Sequence, residues 1–242
     1  RYFAYALFSL AVQLKLYPLI FIVMLVKDWR DWKGNLKRFA GLALLNFALL
    51  FVMGPRIFLD FITNLPAQAA NSKWYLITNH SISSFVYELT RGDWIELPAR
   101  YKFLTHYDGY LRILFFGLFA LCFGLALLQA YRHNEGGFNS HLLLACTIGA
   151  LIIPVSVDYK LSILAAPMAL MFIDTEMMAG SRAKRLLIIA LILLSASAYA
   201  FILFPYKIKI PILSSAFLPL ILILICASVL NMMRGKNTTH EV

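Results

Sequence analysis

Charge is scarce in this chain. Only 14% of its 242 residues are Asp, Glu, Lys or Arg, against roughly one quarter in a soluble domain. Hydrophobic residues make up 61%, and mean hydropathy is +0.76. That balance excludes an ordinary soluble domain and implies an integral membrane protein. Acid is scarcer still, with 12 Asp and Glu against 22 Lys and Arg and a net charge of +10. In a soluble protein such an excess would suggest nucleic acid. Here the basic residues lie mostly between apolar segments, so they report cytoplasmic loops and anionic lipid, and no nucleic-acid partner is expected.

The chemistry-bearing residues are equally sparse. Cys122, Cys146 and Cys226 all fall inside apolar runs without metal-ligand spacing, which points to packing as small apolar residues. His80, His106, His133, His141 and His240 are scattered with no pair at i, i+4, so no metal site is expected. The sequence holds no glycine-rich phosphate loop, no G-x-S-x-G elbow and no D-x-D pair, which excludes the usual grips on a nucleotide. No cofactor is expected either.

What the chain does have is apolar length. A membrane-crossing helix needs about 20 apolar residues, or fewer where it is tilted, broken or buried among neighbours. Seven apolar segments answer to that rule, at about 2–26, 39–55, 110–131, 141–157, 161–173, 186–204 and 211–233. The expected fold is therefore all-α and polytopic, a single transmembrane domain over 1–242. Lys15 and Pro18 interrupt the first segment at its centre, and a proline there breaks or kinks a helix. Two short helices meeting near Lys15 are expected.

Orientation follows from the basic clusters at 27–38, 182–185 and 234–236, which by the positive-inside rule lie in the cytoplasm. Alternation then puts the loop at 56–109 and the crest at 156–160 outside. Residues 56–66 of that loop, RIFLDFITNLP, read as an amphipathic helix lying in the interface, with Ile57, Phe58, Phe61, Ile62 and Leu65 on one side. A second short helix is expected to begin near Ser81.

Ionisable groups at bilayer depth cost several kcal/mol, so those present are paired, snorkel to the surface or line a wet cavity. Three clusters stand out: Lys15 with Tyr17, then Asn79-His80-Ser81, then Asp158-Tyr159-Lys160. Each also has a plain reading. Lys15 could snorkel from one continuous span, and Asp158 with Lys160 could be an exposed interfacial pair, which contributes little. Asn79-His80-Ser81 matches an N-x-S glycosylation acceptor.

Taken in order, these clusters resemble a known family. A-x-x-L-K-L-Y-P-L at 11–19, GP followed by an amphipathic helix, NHSISSF at 79–85 and IPVSVDYKL at 153–161 are similar to glycosyltransferase family 87. This is the family of polyprenol-phosphate-dependent mannosyltransferases, whose usual forms are K-x-Y-P, N-Q-S and P-x-S-x-D-(H/Y). His80 replaces the usual Gln, and Val157 stands where an aromatic is common. The resemblance implies a GT-C-like bundle in a bacterial inner membrane, with its active site facing outside. It implies transfer of a hexose, mannose in the usual form, from a polyprenyl-phosphate donor to a glycan or glycolipid acceptor.

On the same ground, Lys15 and Lys160 would grip the phosphate while Tyr17, Asn79, His80, Ser81, Asp158 and Tyr159 line the sugar site. The family's base is an Asp in the first outside loop, upstream of these motifs, so the chain is expected to be N-terminally incomplete and its base to lie before Arg1. Two other readings stand beside this one. Broken helices with basic breaks also serve transporters and flippases of anionic substrates, although the loop at 56–109 has no counterpart in a second half. A non-catalytic assembly subunit is the third.

Overall fold

The computed structural model of the chain describes residues 2–15, 17–52, 54–70, 79–91, 106–133, 139–153, 158–174, 182–198 and 215–237. Among these residues the α-helices are α1 (Tyr2–Leu14), α2 (Trp32–Leu49), α3 (Pro55–Ala70), α4 (Ile82–Arg91), α5 (Asp108–His133), α6 (Ser140–Ile152), α7 (Ala165–Asp174), α8 (Arg182–Ala198) and α9 (Phe217–Asn237). Among the described residues Tyr17–Leu25 and Asp158–Leu164 wind as longer 3₁₀ helix. No strand occurs among the described residues, so the all-α expectation holds.

The chain divides into two compact units, one of residues 1–73 with 130–138 and one of 74–129 with 139–242. In the first, Phe8 and Val12 of α1 and Leu42 of α2 form a small core, against which Tyr5, Phe21, Ile22 and Leu25 pack. The last three belong to the 3₁₀ stretch, so the chain turns after α1 and lays its second half back on the first. The break expected at Lys15 is present, with α1 ending at Leu14 and the 3₁₀ helix starting at Tyr17. That the second half is 3₁₀ and not α is a difference from expectation. Pro18 supplies no backbone N–H to an i−4 carbonyl, and the tighter winding gains about 2.0 Å per residue in place of 1.5 Å.

Asp31 caps α2, its Oδ1 accepting from the Gly34 N–H at 2.9 Å. After α2, Gly54 takes φ +98°, donates its N–H to the Phe51 carbonyl at 2.9 Å and accepts from Phe58 at 3.3 Å. Pro55 then opens α3 at a position where its missing N–H costs nothing. The amphipathic helix expected at 56–66 is thus real and continues to Ala70. Phe58 packs on Phe51 and Phe47 with ring centroids 4.5 and 6.2 Å apart, while Ile57, Leu59 and Ile62 remain exposed.

In the second unit, α6 is buried almost end to end, from Leu142 through Ile152. A helix apolar all round belongs inside a bundle, and α6 packs against both α7 and α9. α8 packs on α9, and its buried residues Ala183, Leu187 and Ala190 are spaced to share one face, while Leu186, Ile188, Ile189 and Ile192 stay exposed. Such large apolar side chains on an outer surface suit contact with lipid. Among the described residues α5 alone is long and apolar enough to cross a membrane by itself. α1, α6, α8, α9 and the stretch Lys160–Ile173 are apolar but shorter in their apolar extent. Each of the seven apolar segments therefore carries helix, and one has the full length of a span.

Candidate functional site

Where α1 stops, the Lys15 N–H closes the last turn on the Ala11 carbonyl at 3.0 Å. The side chain of Lys15 is exposed, and its Nζ stands 6.0 Å from the centroid of the half-buried Tyr17 ring. The K-x-Y spacing across a helix break thus brings cation and ring together, at the distance where the negative face of the ring attracts an ammonium. Both residues belong to the first unit.

The other motif residues belong to the second unit. Asn79, His80 and Ser81 form the turn into α4, and all three are buried although polar. Each side chain has a defined task in that turn. Asn79 Oδ1 accepts from the Ser81 N–H at 3.1 Å, an Asx turn. Ser81 Oγ accepts from the Ser84 N–H at 3.2 Å and the Ser81 carbonyl from Phe85 at 3.0 Å, so Ser81 is the N-cap of α4. The start expected near Ser81 is confirmed. His80, wholly buried, accepts at Nδ1 from the backbone N–H of Ala216 at 3.0 Å.

Asp158, Tyr159 and Lys160 open the 3₁₀ helix Asp158–Leu164, which packs against α6 and α7. The side chains of Asp158 and Tyr159 lie outside the described part. Lys160 is 9% exposed, so the plain reading of an exposed interfacial lysine does not hold for it.

Several polar residues near the α4 turn escaped the sequence reading. Ser84 and Glu88 on α4 are buried, and their spacing from Ser81 places all three along one side of the helix. Ser84 Oγ has no hydrogen-bond partner among the described residues. Thr90, also buried, lies 2.8 Å from the Val86 carbonyl and 3.2 Å from Asp108 Oδ1, and Asp108 in turn pairs with Arg112 at 3.0 Å. The available signal was the strong segregation of polar and apolar residues along 82–91, which marks a helix with two distinct faces.

The three cysteines are buried and none is in a disulfide, in keeping with a packing role.

No curated protein and no solved structure matches the chain. The profile of glycosyltransferase family 87 matches residues 1–154, a range that includes α1 with the Lys15 break and the whole Asn79-His80-Ser81 turn with α4. The chain belongs to glycosyltransferase family 87 and is a membrane glycosyltransferase.

Proposed function

We propose that the protein transfers a hexose, with mannose the first candidate, from a polyprenyl-phosphate carrier to a hydroxyl of a glycan or glycolipid at the outer face of a bacterial plasma membrane. The observation that carries the donor assignment is the burial of Lys160 at the head of a short helix pair. An ammonium withdrawn from water keeps its charge only among polar or anionic groups, and surroundings that hold that charge in place suit the arrival of a lipid phosphate. The sequence offers no loop or acidic pair for a nucleotide.

In this reading the acceptor oxygen attacks the anomeric carbon, the bond from that carbon to the phosphate oxygen breaks, and the acceptor proton passes to a carboxylate. In the second unit Lys160 neutralises the charge that develops on the departing phosphate, a role that a preorganised cation serves well, and in the first unit Lys15 beside Tyr17 is a separate candidate contact for a lipid phosphate. Asn79, His80, Ser81, Asp158 and Tyr159, all of the second unit, shape the place of the sugar.

The test is transfer by the full-length protein in liposomes, offered a polyprenyl-phosphate hexose or the matching nucleotide sugar. Activity with the lipid donor alone is expected, and Asp158→Asn and Lys160→Ala should each slow it by roughly ten- to a hundredfold with normal membrane insertion. Transfer from the nucleotide sugar, or wild-type turnover in both variants, would overturn the assignment.

A further inference from the structure

The Ala216–His80 hydrogen bond joins residues 136 positions apart, and one of them lies beyond the stretch that the family profile covers. Ala216 is the N-cap of α9, since its carbonyl accepts the first intrahelical bond, from Leu220 at 3.0 Å. Its N–H belongs to the donors at a helix start that no intrahelical carbonyl can serve. Ala216 is wholly buried, and in an apolar interior such a donor must find an acceptor. His80 Nδ1 is that acceptor.

Packing around the bond holds it in place. Phe217 follows Ala216, Phe85 lies one turn into α4, and Phe115 comes from α5. Their ring centroids are 4.8 Å apart for Phe85 and Phe217, 5.0 Å for Phe115 and Phe217, and 5.8 Å for Phe85 and Phe115. Three helices thus meet through one aromatic cluster directly beside the hydrogen bond. Ser215 Oγ accepts from the Phe217 N–H at 3.3 Å, so the entry to α9 is itself fixed.

The chemical consequence concerns the imidazole. A neutral histidine carries one proton on one of two nitrogens. Because Nδ1 is occupied as an acceptor, the proton sits on Nε2. With its Nδ1 lone pair engaged and its Nε2 protonated, the ring can donate and cannot take a proton from an acceptor hydroxyl.

We propose that the start of α9 is part of the functional site, and that His80 is a positioning residue. Through the Ala216 N–H it sets the Asn79-His80-Ser81 turn and holds its own ring as a fixed Nε2 donor, excluded from the role of general base. The activity side of this proposal rests on the lipid-phosphate reading above, whereas the tautomer does not.

Two measurements test it. In the full-length protein with ¹⁵N-labelled histidine, the His80 signals, assigned by their loss in His80→Asn, should show an unprotonated Nδ1 and a protonated Nε2. The reverse tautomer would overturn the proposal whatever the donor proves to be, and if His80→Asn fails to fold the assignment is made in wild-type protein by sequential backbone correlation from Asn79 to His80. The second measurement is transfer rate in a double-mutant cycle. His80→Ala removes the acceptor, and Ala216→Pro removes the donor without touching the ring. Each should slow transfer by roughly tenfold or more, and the double variant should match the slower single one within about twofold. His80→Asn, whose Oδ1 falls near the place of Nδ1, should recover most of the rate, whereas His80→Gln should not. Multiplying effects in the double variant, or rescue by Gln and not Asn, would sink the tether. Failure of wild-type protein to use a polyprenyl-phosphate hexose would remove the donor assignment and leave the tautomer result standing.

Discussion

Gln13 on α1 donates its side-chain amide to Asn46 on α2, to the backbone carbonyl at 2.9 Å and to Oδ1 at 3.1 Å. Asn46 in turn donates to Ser9 Oγ at 3.1 Å and to the Leu42 carbonyl at 2.9 Å. Two apolar helices are thereby pinned in register by one polar residue on each, together with a serine. In lipid the hydrophobic effect does not drive helix pairing, so interhelical hydrogen bonds and close packing carry it. Asn46→Ala should destabilise the first unit by about 0.5–2 kcal/mol, read as a lower midpoint of thermal unfolding in detergent. A midpoint equal to wild type would show that the pair is incidental.

Gly54 is the hinge of a second structural prediction. Its φ of +98° lies where a side chain strains the backbone, while a Cβ built there meets nothing within 4 Å. The cost of Gly54→Ala is therefore backbone strain alone, about 1–2 kcal/mol. Gly54→Asn should cost less, because asparagine tolerates positive φ better than alanine. Equal stability of the alanine variant and wild type would mean that the turn between α2 and α3 does not need this conformation.

Much of this architecture was legible because its causes are local. Pro18 announces the break after Leu14 by what it cannot do, namely donate an N–H. Ser81 announces the start of α4 by what its hydroxyl can accept. The apolar spacing of residues 57–62 announces α3, although nothing local told that the helix would run on through Pro66 to Ala70. The site was legible only as three clusters. That His80 would be seated on Ala216 depends on a contact across 136 positions, and no periodicity encodes such a partner. Glu88 stayed hidden for a related reason. An acid within an amphipathic stretch reads as part of the solvated face, and its burial follows from tertiary packing that composition does not show. Helix length across the membrane was hidden too, since an apolar run is the same whether it forms one span, as in α5, or folds back on itself as residues 2–25 do.

The last prediction concerns Lys15 and Tyr17. The ammonium stands over the ring at 6.0 Å and is exposed at a helix break, an arrangement that aims the charge without burying it. If the charge serves the phosphate of the lipid donor, Lys15→Met should raise KM for that donor by roughly tenfold or more, because a charge-assisted contact is lost. Lys15→Arg should recover part of it, since the guanidinium also binds phosphate and also stacks on aromatic faces. Tyr17→Phe keeps the ring and should change little, whereas Tyr17→Leu removes it and should cost about two- to fivefold, the worth of an exposed cation–π contact. The order Met, Leu, Phe in decreasing severity is the signature of a lysine held by a ring and used on an anion. A lysine that only snorkels to the membrane surface would instead leave KM unchanged in Lys15→Met, and steady-state kinetics with a polyprenyl-phosphate hexose decides between the two.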